Sequence, residues 1–378
     1  MKIIIAPDKF KGSLSSFEAC DAIRQGLKRA GCELEMLIFP MADGGDGFAQ
    51  VLQYYHHTET VEAPTIDPLH RPITATYQWN EQARTAIIET AAASGLVLLD
   101  DEERNPLVAS TAGTGRLILH ALQQGAEKII LGLGGSATND AGTGILHELG
   151  FRFLDARGEE LIPRGESLID IADIKIPDPL PEIAFELAVD VQNPLYGPNG
   201  AAYVYAPQKG ASADDVLLLD KGLRHFADVL KRISGREVAE IPGSGAAGGI
   251  AAGLMPFFDI KMKRGIDWVI DASGIDDHWI TACLLITGEG KLDSQSGEGK
   301  VVGSLAALAA EHAVPAIAFC GVTDQSESAC RKLGLAAAYV INDDPSKQQA
   351  SMENAFEFLS AKAEAIFRSS AGRRFWRS

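Results

Sequence analysis

The chain has 378 residues, long for one domain, and 46% of them are apolar. That predicts two domains with sizeable cores and excludes a disordered chain. Lysine and arginine total 34 against 51 aspartates and glutamates, a formal charge of −17, which argues against nucleic acid and anionic membranes as partners.

The first predicted element is Ile3-Ile-Ile-Ala6, a continuous apolar run that suits a buried strand of a parallel sheet and is too short for a signal peptide. Asp8, Lys9 and Lys11 follow at its carboxyl end, with Ser13 just beyond. Open α/β sheets bind ligands at that edge, and a lysine there can hold phosphate as a mobile point charge; an ordinary solvated turn is the plainer alternative. Ser15 with Glu18 makes a capping box. Apolar residues at 19, 22, 23, 27 and 30 share one helical face, which Gly31 ends. A second strand is expected over 34–39. Asp43-Gly-Gly-Asp46-Gly47 then places two carboxylates at a helix start. They suit Mg²⁺ or substrate hydroxyls, and also ordinary capping. The three glycines imply close approach of a ligand or another backbone.

From about 60 to 270 the pattern changes. Proline-rich turns, β-rich stretches at 73–79 and 201–206, and separate glycine-rich loops predict an inserted α/β domain over 61–270. Within it a strand from Lys128 runs into Gly134-Gly135-Ser136-Ala-Thr138-Asn139-Asp140 and a helix that stops at Gly150. Backbone N–H groups at such a start bind anions. Gly132-x-Gly134-x-x-Ala137, with Asp155 downstream, also matches the dinucleotide fingerprint. An NAD-dependent dehydrogenase of a small hydroxy acid is therefore the rival reading, although the loop is too polar for the close packing that fingerprint serves. Asp190 ends the apolar run 183–189 and suits a general base or an Asx-turn. Gly243-Ser-Gly-Ala-Ala-Gly-Gly249 repeats the glycine spacing without a preceding strand.

The last third resumes the strand–helix rhythm. A strand over 283–287 breaks at Gly288-Glu289-Gly-Lys291-Leu-Asp293, and a helix follows from Lys300 to 311. Strands are expected over 314–320 and 336–341, and helices over 326–333 and 351–367. The five strands outside the insertion predict a flavodoxin-like, doubly wound parallel sheet built from 1–60 and 271–378. Lysines interleaved with Glu289 and Asp293 suit an anionic substrate with a divalent metal, and point to phosphoryl transfer in the cleft between the domains. No Walker A or protein-kinase catalytic motif is present. Cys20, Cys32, Cys283, Cys320 and Cys330 match no zinc or disulfide framework and fit a reducing cytoplasm. No apolar run approaches a membrane span. The basic tail 368–378 reads as a frayed end.

Several of these segments together resemble the bacterial glycerate kinases of glycerate, glyoxylate and glucarate breakdown. They are Ala6-Pro-Asp-Lys-Phe-Lys-Gly-Ser13, Ala42-Asp-Gly-Gly-Asp-Gly47, Gly134-Gly-Ser-Ala-Thr-Asn-Asp140, Asn193-Pro-Leu-Tyr-Gly197, Pro207-Gln-Lys-Gly210, Gly245-Ala-Ala-Gly-Gly249 and Thr287-Gly-Glu-Gly-Lys-Leu-Asp293. The similarity runs in order from Met1 to about residue 365. It implies ATP-dependent phosphorylation of D-glycerate with Mg²⁺, expected to give 2-phosphoglycerate, with the 3-phospho product a near neighbour. On this resemblance Lys9, Lys11 and Lys291 are candidates for phosphate or carboxylate, and Asp190 or Asp293 for orienting or deprotonating the hydroxyl. Asp43 and Asp46 are candidates for metal. Asp8, Ser13, the 134–140 loop, Asn193, Gly288 and Glu289 are candidates for substrate and phosphate contact. A homo-oligomer is compatible with all of this.

Overall fold

The structure is a computed structural model that describes residues 1–45, 47–297, 299–342 and 348–369. Asp46 and most of the basic tail lie outside the described residues. The strands in chain order are β1 Lys2–Ile5, β2 Glu35–Ile38, β3 Glu59–Ile66, β4 Pro72–Asn80, β5 Thr85–Glu89, β6 Lys128–Gly132, β7 Arg152–Leu154, β8 Asp173–Lys175, β9 Ala184–Ala188, β10 Asp259–Lys263, β11 Ala282–Leu292, β12 Ala316–Thr323 and β13 Leu335–Val340.

The chain divides into two compact units, 1–43 with 266–378, and 44–265. In the first unit the strands lie in the order β13-β12-β11-β1-β2, all parallel. Numbered by their sequence within the unit, this is the 2-1-3-4-5 flavodoxin-like winding, and its direction reverses between β1 and β11. Ile3, Ile4 and Ile5 are fully buried because both faces of the sheet are covered; each contributes roughly 2 kcal/mol of apolar burial. The helix Ser16–Arg29 begins at the Ser15–Glu18 capping box. It packs Ala19, Ile23 and Leu27 into the same cluster as Leu359, Ala363 and Phe367 of the helix Ala355–Arg368. The expected single closing helix is broken at Asn354, with a shorter helix Gln348–Glu353 before it.

β11 differs from the sequence expectation. It runs to Leu292, so Gly288, Glu289 and Lys291 are strand residues paired with Phe319, Cys320 and Val322 of β12. The glycines do not break it because they serve close packing. A Cβ at Gly288 would sit 2.5 Å from the Phe319 carbonyl oxygen.

The inserted unit holds a mixed sheet, β10-β9-β6-β5-β4-β3. It is parallel from β10 to β5 and antiparallel from β5 to β3. The helix Phe48–His56, which the sequence pattern joins to the first strand pair, belongs to this unit. The stretch 201–206, expected as β, is the helix Ala201–Tyr205. Ala201 and Ala202 are buried while Tyr203 and Val204 are exposed, a helical spacing that alternation cannot produce. Among the described residues no helix is long and apolar enough to cross a membrane. All five cysteines are unpaired.

Candidate active site

In the first unit, chemistry-bearing side chains gather at the carboxyl ends of β1, β2 and β11. Asp8 leaves β1 and is nearly buried, its Oδ1 accepting from the Lys9 N–H at 2.7 Å. Burial and the neighbouring Asp43 carboxylate push Asp8 up to about 8. Glu289 on β11 is raised to about 7, chiefly by burial. Its Oε1 is buried with no hydrogen-bond partner. Asp43 pairs with Lys300 at 2.5 Å, and Lys291 with Asp293 at 3.1 Å. Ser13 Oγ donates to the Phe10 carbonyl at 2.9 Å, turning the loop so that Lys11 and Ser13 both line one cavity together with Lys291.

Among the described residues no three carboxylates, histidines or cysteines converge to hold a metal alone. Asp43, a candidate ligand, is instead neutralised by Lys300. A divalent cation arriving on phosphate oxygens nevertheless fits. Mg²⁺ takes one or two carboxylates and fills its remaining positions with phosphate and water. The unpartnered Glu289 oxygen and the raised Asp8 are groups that such a cation would relieve.

In the inserted unit the loop between β6 and the helix Thr143–Glu148 is braced from beneath. Asp140 is fully buried. It accepts from the Thr111 N–H and hydroxyl at 2.8 Å each, and from the N–H groups of Gly142 at 3.1 Å and Gly144 at 3.3 Å. Its carboxylate thus braces the loop by accepting from four donors of the fold. Lys209, part of the Pro207-Gln-Lys-Gly210 segment but given no role from the sequence, is 2% exposed and donates to Ser136 Oγ at 2.9 Å and the Thr138 carbonyl at 2.7 Å. Burial pulls it down to about 7, with Asp140 acting in the opposite sense. The segment marks the position but not its burial, because a lysine reads as surface until the fold covers it.

Above this brace are side chains without partners. Thr138 Oγ1, both amide atoms of Asn139, and Thr90 Oγ1 are buried and unbonded. Such atoms are rare in folded proteins, and a bound ligand or water is the ordinary reason for them. Gly134 meets its neighbours so closely that a Cβ there would lie 2.8 Å from the Gly45 Cα, and one at Gly44 would lie 2.8 Å from Asp190 Oδ2. Gly44 and Gly45 are therefore explained by close approach, whereas a Cβ at Gly47 would meet nothing within 4 Å among the described residues, and that glycine serves a backbone φ of 87°. Asp190, after β9, accepts from the Gly265 N–H at 2.9 Å. Asn193 is engaged locally, donating to the Asn199 carbonyl at 2.7 Å and accepting from the Tyr205 hydroxyl at 2.5 Å.

The dinucleotide reading does not survive this geometry. The helix starts only at Thr143, well past the glycines, and Asp155 Oδ1 is taken by the N–H groups of Arg157 and Glu159.

Comparison with known proteins agrees with the kinase reading. The model of the glycerate kinase family matches residues 3–371. A glycerate kinase of Bacillus subtilis (strain 168) is 41% identical over 369 residues, covering 97% of each chain. A glycerate 2-kinase of Escherichia coli (strain K12) is 40% identical over 344 residues, covering 90% of each. A crystal structure described as a glycerate kinase 2 from Salmonella typhimurium LT2 superposes with a TM-score of 0.83 at 37% identity, covering 97% of both chains. The chain belongs to the glycerate kinase family.

Proposed function

We propose that the protein transfers the γ-phosphoryl group of ATP to the 2-hydroxyl of D-glycerate, giving ADP and 2-phosphoglycerate. The observation that carries this reading is the gathering of Asp8, Asp43, Glu289, Lys291 and Lys300 at the carboxyl edge of a flavodoxin-like sheet, beside its reversal point. Family membership supports the acceptor, and the 2-kinase relative supports the choice of hydroxyl.

Phosphoryl transfer asks the protein mainly for positioning and charge compensation. Lys9, Lys11, Lys291 and Lys300 are assigned to the phosphates, with Ser13 beside them. Asp8 and Glu289 are assigned to Mg²⁺, which when bound offsets charge on the transferring group. In the inserted unit, Thr138 and Asn139 are assigned to the carboxylate and hydroxyls of glycerate, because their free donors and acceptors match a small acid polar at every carbon. Asp190 orients the attacking hydroxyl and takes its proton. Asp293 stays with Lys291 on the phosphate side. The unpaired cysteines suit a cytoplasmic enzyme.

The test is to incubate the purified protein with D-glycerate and Mg-ATP and follow products by phosphorus NMR. ADP with a 2-phosphoglycerate signal is expected. A 3-phosphoglycerate signal keeps the kinase and overturns the hydroxyl; neither turnover nor nucleotide binding overturns the whole reading.

A further inference from the structure

Phosphate and acceptor groups account for the charged residues and leave a cavity of about 530 Å³ in the first unit without a task. It lies at the carboxyl ends of β11, β12 and β13, beside the point where the winding of the sheet reverses. Its volume is in the range of pockets that enclose drug-sized ligands, and far exceeds what a three-carbon acid needs. Its walls are apolar, formed by Phe10, Val322, Val340 and Met352, whereas its mouth carries Lys11 and Lys291. A small polyanion gains nothing from such walls. A flat heteroaromatic ring does, provided the rest of its molecule extends toward cations.

We infer that this cavity holds the nucleoside of the phosphoryl donor, with the purine against Phe10, Val322 and Met352 and the phosphate chain leaving past Lys11 and Lys291. The inference rests on the kinase reading above and deepens it by giving the nucleoside a place. Three features agree. The two lysines stand on the loop after β1 and on β11, the strands that flank the reversal point, where phosphates are expected in this winding. Ser351 adds a hydroxyl to the lining, beside Asn342, which can orient ring nitrogens without charge. Val322 is 38% exposed at the end of an interior strand, and so is an apolar side chain left open where burial would be favourable.

The test is Val322→Trp, which fills the cavity from a partly exposed position and leaves the pairing of β11 with β12 intact, with Ile280→Trp, at a 94% exposed position outside the cavity, as a control that adds the same ring elsewhere in the unit. Fluorescence of a mant-ADP probe and steady-state kinetics are measured on both and on the wild-type chain. The expected result is a KM for ATP and a Kd for mant-ADP raised by about tenfold or more in Val322→Trp, with KM for glycerate held within about twofold and Ile280→Trp close to wild type. Unchanged mant-ADP binding in a folded Val322→Trp would overturn the inference while leaving the kinase reading intact. A raised KM for glycerate alone would also overturn it, by giving the cavity to the acceptor. If the wild-type chain bound mant-ADP and Val322→Trp did not, yet neither turned over glycerate, the cavity would stand and the acceptor assignment would fall.

Discussion

In the first unit the acids at the sheet edge are held in tension. Asp8 is buried and Glu289 half-buried, both lie near the Asp43 carboxylate, and both are raised toward neutrality. In the inserted unit the charges around the 134–140 loop are settled: Asp140 is satisfied by four protein donors and Lys209 by two acceptors. What is left open there is neutral, the hydroxyl of Thr138 and the amide of Asn139. Charge left unsatisfied suits a ligand that brings metal and phosphate, and neutral groups left unsatisfied suit a small hydroxy acid whose identity must be read by hydrogen bonds.

The sharpest way to break this comparison is to attack each unit where it is committed. Asp190→Asn keeps an oxygen to accept from the Gly265 N–H but removes the base, so kcat should fall by about 10²–10⁴-fold with the fold retained; a variant with near-normal kcat would remove Asp190 from the mechanism. Asp140→Ala should do the reverse. It strands four buried donors and should cost about 3–5 kcal/mol of stability in denaturant unfolding. A mild loss of stability with a large loss of turnover would make Asp140 a site residue after all. Asn139→Ala should raise KM for glycerate by about tenfold and leave KM for ATP unmoved, and an effect on ATP would merge the two regions.

The smallest effect is a pH dependence. Lys209 titrates near 7 in the folded chain and near its ordinary 10.5 when unfolded. Between those values the unfolded chain binds more protons, so this group alone makes stability rise with pH from about 7 to 10.5. Asp8 acts oppositely below that range. Its folded value near 8 exceeds the ordinary 3.8, so its contribution is full below about 4 and is lost as pH rises through 8. Lys209→Met should remove the alkaline rise in urea titrations and leave the acid-side slope, and a rise that persisted would assign it to other groups.

The first unit was the more legible from sequence. Its strands are short, continuous and β-branched, its first helix opens with a capping box, and Asp8 and Lys11 sit next to recognisable strand ends. The glycine runs misled because one residue type serves two purposes. At Gly288 the missing side chain lets two strands approach, where the sequence suggests a break. Burial was the other hidden quantity. Lys209 and Asp140 look like surface charges and Asp140 like a substrate contact, until the inserted unit closes over both. Pairings such as Asp43 with Lys300 join residues more than 250 positions apart, and no local pattern foretells them.

The meeting of Gly44 with Gly265 has a consequence for assembly. A Cβ at Gly44 would lie 3.2 Å from the Gly265 Cα, so the inserted unit begins and ends at one spot, where Asp190 accepts from Gly265. For the first unit, pairing β1 with β11 formally means closing a loop of more than two hundred residues, with an entropy penalty that grows with the logarithm of its length. Once the insertion has folded, that loop shrinks to the first unit's own intervening residues, 6–43 and 266–281. The larger unit therefore acts as an internal clasp, and the discontinuous sheet gathers as though its two pieces had been adjacent in the chain.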